Sequence, residues 1–103
     1  MVKSVKITAE EANRRLRDVS EGKGFWCQDG RHLKNLKDLE EALGTMDPGT
    51  FHHHTGQGRN DFTNWVRDVI GDDKLANDLS KAKNALDATD MVAQRIAFLR
   101  KKV

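Results

Sequence analysis

The chain has 103 residues, a length that suits one domain and leaves little room for two. Charged residues make up 33% and hydrophobic residues 37%, with a formal net charge of +2, a globular composition that excludes a strongly polyanionic or polycationic chain. No apolar run nears the roughly 18 residues of a membrane span, and Met1–Glu11 lacks the apolar core of a signal peptide. A single cysteine, Cys27, excludes an intramolecular disulfide and fits a reducing, cytoplasmic setting.

The charge is unevenly laid out. Residues 1–40 carry +2, residues 41–90 carry −4, and residues 91–103 carry +4 through Arg95, Arg100, Lys101 and Lys102. In chain order, Val2, Val5 and Ile7 alternate with lysines as a short edge strand over Met1–Ile7. Thr8 with Glu11 three residues on forms a capping-box pattern. It opens a helix that offers Ala12, Leu16 and Val19 to a core and ends at Gly22 and Gly24. Phe25–Gln28 and Arg31–Lys34 flank Asp29-Gly30, which predicts a hairpin closed by a type I′ turn.

Helical periodicity follows. Leu36, Leu39, Leu43 and Met46 make one stripe behind Asn35 as N-cap, and Asp47-Pro48-Gly49 breaks it, with Pro48 starting a short turn. Gly56-Gln57-Gly58 reads as a loop. Phe62, Trp65, Val66, Val69 and Ile70 form the most regular apolar face, stopped by Gly71. Asp72 or Asp73 caps the next helix, with stripe Leu75, Leu79, Ala82 and Leu86. Asp87 with Asp90 opens the last helix, carrying Val92, Ile96, Leu99 and Val103. The expected fold is one domain, 1–103, of mainly helical α+β class: about five helices on a small N-terminal β-hairpin.

Chemistry-bearing residues are few. His52-His53-His54 is the conspicuous cluster, yet adjacent residues on a helix point about 100° apart, so one helix cannot aim all three at one metal. A zinc site would borrow Cys27, His32 or Asp61, and the customary ligand spacings are missing, so one buried, hydrogen-bonded His and two solvated ones is the preferred reading and no cofactor is expected. No nucleophile elbow, phosphate loop or dinucleotide fingerprint occurs. For nucleic acid, Trp26 with Arg31, His32 and Lys34 across the hairpin is the one aromatic–basic combination, and Arg100, Lys101 and Lys102 could add charge.

Phe25-Trp26-Cys27 with Asp29-Gly30, Leu36-Lys37-Asp38-Leu39 with Leu43, Phe51 with His53-His54, Asn60-Asp61-Phe62 with Trp65-Val66 and Val69, and Gly71-Asp72 with Leu75-Ala76 together form a recognisable series. The run from Phe25 to Ala76 resembles a small domain family of unknown function found in archaea and some bacteria. There, an aromatic strand and Asp-Gly turn precede a helix, a Phe-x-x-His segment, an Asn-Asp-Phe-x-x-Trp helix and a Gly-Asp-x-x-Leu-Ala step. The resemblance implies a stand-alone or fused accessory domain with no established activity. Physically, Asn60 or Asp61 caps the helix bearing Phe62 and Trp65, and His54 reaches this corner. The expected function is a non-catalytic interaction or adaptor domain with a protein partner, contacting it through His52, His53, His54, Asn60 and Asp61. The alternatives are a nucleic-acid- or ribosome-associated protein using Trp26, Arg31, Lys34 and the basic tail, and a metal-binding protein using His52–His54.

Overall fold

A computed structural model describes residues 6–103. Six helices and one two-stranded antiparallel hairpin make a mainly helical α+β unit. Of the edge strand expected over Met1–Ile7, residues 1–5 lie outside the described part, and Lys6 and Ile7 are not in a strand.

Thr8 caps α1 (Ala9–Leu16), its hydroxyl accepting from the Glu11 N–H at 3.1 Å. The reciprocal half of the box does not form, because the Glu11 carboxylate turns to Arg14 and Arg15 instead. The helix stops at Leu16, well before Gly22. Val19 leaves the helical path so that its N–H can donate to the Lys34 C=O at 2.8 Å, running beside the hairpin. Strands β1 (Phe25–Trp26) and β2 (His32–Leu33) pair Phe25 with Leu33 and Trp26 with His32. Their turn is not type I′, since only Gly30 has positive φ (97°). Cys27 N–H donates to Arg31 C=O and Gly30 N–H to Cys27 C=O, so a three-residue loop closes on the left-handed glycine.

Asn35 caps α2 (Leu36–Thr45), whose stripe is buried as expected. Pro48 begins a two-turn helix, α3 (Pro48–Thr55), rather than a turn, because Asp47 accepts the Thr50 N–H and proline at N1 needs no donor. It is the helix in excess of the five expected. Asn60 caps α4 (Asp61–Trp65), which widens into a π-helical turn over Val66–Ile70. There the Val66 C=O accepts from both Gly71 and Asp72, a wrap that the left-handed Gly71 (φ 81°) permits. Asp72 then caps α5 (Asp73–Leu79).

The stripe expected to run from Leu75 through Leu86 breaks after Leu79. Asn84 accepts the Asp87 N–H and starts α6 (Ala85–Arg100) two residues before Asp87, leaving Leu86 in solvent. Asp87 returns its carboxylate to the Lys83 N–H, as Asp38 does to Lys34 at the start of α2, so both helices open on the same Lys-Asn-x-x-Asp clasp. The most extensive helix contact lies between these two, with Leu36, Leu39, Leu43, Val92, Ile96 and Leu99 at the centre of the core. Among the described residues no helix is long and apolar enough to cross a membrane.

Candidate functional site

The hairpin meets α3 and α4 through rings. Strand alternation turns Phe25 inward, where it stacks on Phe62 (5.2 Å between centroids) and meets Trp65 (5.9 Å) and His54 (5.1 Å) edge-on. The Trp65 indole N–H donates to the Lys23 C=O at 2.9 Å, fastening α4 to the segment before β1.

The histidines divide by their places on α3. His52 and His53 are exposed and border a depression of about 330 Å³ with Gly56, Gln57 and Arg59, while His54 points into the core at 5% exposure. The Gln28 backbone N–H donates to His54 Nε2 at 3.0 Å, which requires that nitrogen to be unprotonated. Nδ1 therefore carries the proton and donates to Asp61 Oδ2 at 2.9 Å. With the Nε2 lone pair occupied by a backbone donor, this His–Asp pair holds α3, α4 and the hairpin turn together and offers no free base. Asn60 is used similarly: its carbonyl oxygen accepts the Thr63 N–H and its amide donates to the Leu79 C=O. Arg59 donates to the His53 C=O at 2.6 Å and approaches Asp61 at 3.7 Å.

So the five residues anticipated as one surface separate into two groups. His54 and Asn60 are structural ties, Asp61 serves as the partner of one, and only His52 and His53 look outward. Among the described residues no three His, Cys, Asp or Glu side chains converge as metal ligands. Burial pushes the Cys27 thiol up, which keeps it protonated and poorly nucleophilic at neutral pH.

The aromatic–basic set is also redistributed. Trp26 is 70% exposed and stacks on His32 with centroids 4.1 Å apart and rings 25° from parallel. Gly24 makes room for that stack: a Cβ there would sit 2.3 Å from His32 Nε2 and 2.9 Å from the Leu33 C=O. Arg31 turns away from this face. It donates to Asp29 (2.7 Å), Thr45 Oγ1 (2.6 Å) and the Ala42 C=O, stapling the hairpin turn to the end of α2. Lys34 remains exposed on the hairpin; Arg100, Lys101 and Lys102 lie at the C-terminal end of α6, with the Lys102 ammonium 5.2 Å from the Phe98 ring.

Inspection of charge alone overlooks Asp72. It is fully buried, accepts the Leu75 N–H at 2.9 Å, and pairs with Arg95 (2.8 Å) and Arg15 (3.1 Å). Burial pushes its carboxyl up, but the Arg95 hydrogen bond, the Leu75 N–H and the charges of Arg95 and Arg15 outweigh this and hold it below the usual carboxylate range. The signal was present in helical register. Arg95 follows Val92 by three and precedes Leu99 by four, and Arg15 follows Ala12 by three, so both cations ride core-facing stripes and demand a buried counter-ion.

Compared with known protein families, curated proteins and solved structures, the chain matches none. The residues of the Phe25–Ala76 series have physical roles in this fold: Asn60 caps, Phe62 and Trp65 pack, Gly71 turns the chain, and Asp72 neutralises two arginines.

Proposed function

We propose that the chain is a non-catalytic interaction module, acting in the cytoplasm on a protein partner. One observation carries this reading: the buried His54–Asp61 pair has both ring nitrogens bonded within the fold, whereas two large apolar side chains, Trp26 and Leu86, stand 70% exposed. Leaving such surface in water is unfavourable by roughly 25 cal/mol per Å², and binding a partner recovers that free energy.

Nucleic-acid or ribosome association is the second reading, favoured by the Trp26–His32 stack beside Lys34. A free indole face accepts an unpaired base, and stacking of this kind contributes about 1–3 kcal/mol per base. Metal binding by His52–His54 has less support, since His54 uses both ring nitrogens within the fold.

Capture of ligands on the tagged protein from a lysate of its own organism, with and without nuclease and across a salt series, separates the readings. A protein retained after nuclease and at high salt is the expected result. Retention of RNA or DNA that disappears with nuclease and falls steeply with salt replaces it with the second reading, because neutralised phosphates release counter-ions. Stoichiometric zinc in the purified protein, lost when His52, His53 and His54 are all replaced by alanine, would establish the third.

A further inference from the structure

A groove of about 500 Å³ opens between α3 and the start of α6, larger than four other depressions among the described residues, of about 290 to 330 Å³. Met46, Pro48, Phe51 and His52 line it from α3 and the segment before it, and Lys83 and Leu86 from around the start of α6. Met46 is buried and Phe51 half-buried, while Leu86 projects from the rim. The groove lies where the helical stripe is interrupted, between the end of α5 at Leu79 and the start of α6 at Ala85. Because α6 starts afresh at Asn84, Leu86 leaves the core stripe its spacing suggested and faces outward across α3.

The groove also has a sign. His52 and Lys83 are its ionisable lining residues, and no carboxylate is among them. The neighbouring acids, Asp47 and Asp87, turn onto backbone donors, Thr50 N–H at 2.9 Å and Lys83 N–H at 3.0 Å, capping their own helices. Among the described residues the Lys83 ammonium has no ion-pair partner.

We infer that this groove receives an acidic segment of a partner protein, with one large apolar side chain seated on Met46 and Phe51 against Leu86 and a carboxylate meeting Lys83. A second copy of the chain fits less well. The other exposed apolar side chains near the end of α6, Phe98 and Val103, sit among Arg100, Lys101 and Lys102 and would bring cations against Lys83. The inference rests on the interaction-module reading and names the chemistry of its partner.

Selection of random dodecapeptides displayed on phage against the wild-type protein tests it. The expected enriched peptides carry net negative charge and a Leu, Ile, Met, Phe or Trp. Their affinity should fall at least tenfold for Leu86→Glu and for Lys83→Glu, and their amide shift changes should centre on Phe51, His52, Lys83 and Leu86. Both substituted side chains are exposed, so unchanged thermal unfolding of each variant is the folding control. Enrichment of neutral or basic peptides, no enrichment, or equal binding to both variants overturns the inference. So does a wild-type dimer in sedimentation that Leu86→Glu dissociates, which would make a second copy the occupant. If wild type and both variants capture the same host protein, the module reading stands and the groove is wrong; if wild type captures no protein, the module reading fails.

Discussion

Single residues decide more of this molecule through charge neutralisation than through reactivity. Asp72 is the clearest case, a buried carboxylate between two arginines from different helices. Replacing it with alanine leaves Arg15 and Arg95 without their counter-ion and should cost about 3–5 kcal/mol in urea unfolding, the range for breaking one side of a buried pair. Acid should expose the same dependence. Glu11 and Asp29 are both held at about 2, below 4.5 and 3.8 respectively, mainly by hydrogen bonds from Arg14 and Arg31, and Asp72 is lowered as well. The unfolded chain therefore takes up protons first, so stability is fully present above about pH 4.5 and falls as pH drops towards 2. Calorimetry across that window should show this decline, and Asp72→Asn should make it shallower. His54 gives a neutral counterpart: His54→Ala removes a ring from the Phe25–Phe62 cluster and strands the Gln28 N–H, at a cost of roughly 2–4 kcal/mol. His54→Gln, whose side-chain oxygen reaches the Nε2 position, should recover part of it.

At the scale of elements, most helix starts were readable because a cap is a local event, although the Asn84 start of α6 and the full helix behind Asp47 were not. Thr8, Asn35 and Asn60 act where a short polar residue precedes an apolar stripe, as the sequence indicated. Helix ends were less legible. The first helix stops early because Val19 finds a partner in Lys34, and α5 stops at Leu79, where Asn60 and Thr63 of α4 bond carbonyls near its end. Those are contacts between segments far apart in the chain, which periodicity within one segment does not contain. The hairpin shows a similar limit: Asp-Gly located the turn, but Arg31, drawn to Asp29 and the end of α2, accompanies a three-residue loop in place of the two-residue one. Gly24→Ala tests the hairpin directly. The added Cβ meets His32 and the Leu33 carbonyl, and the backbone atom cannot yield. We expect a loss of about 1–3 kcal/mol in stability and a changed near-ultraviolet dichroism as Trp26 and His32 separate.

For the whole molecule, the two tryptophans report on opposite sides of the hairpin. Trp65 is buried with its indole N–H bonded, and Trp26 stands in solvent. Acrylamide should quench one component of the fluorescence readily and the other poorly, and Trp26→Phe should remove the readily quenched component alone. Equal quenching of both would show that α4 does not seat Trp65 against the hairpin.

The sequence by itself determined the mainly helical class, the hairpin, most helix starts and the central apolar stripes, because caps, turns and amphipathic periods arise from residues within a few positions of one another. It also indicated that His54 meets the Asn60–Asp61 corner. Only the tertiary structure decided which polar groups stay available, since a side chain is removed from chemistry by a partner many residues away: Gln28 occupies His54, Ala42 and Thr45 occupy Arg31, and Arg15 and Arg95 enclose Asp72. The groove beside Leu86 belongs to the same category. It exists because α3 and the start of α6 are brought side by side, a relation between elements that no stretch of the chain encodes alone.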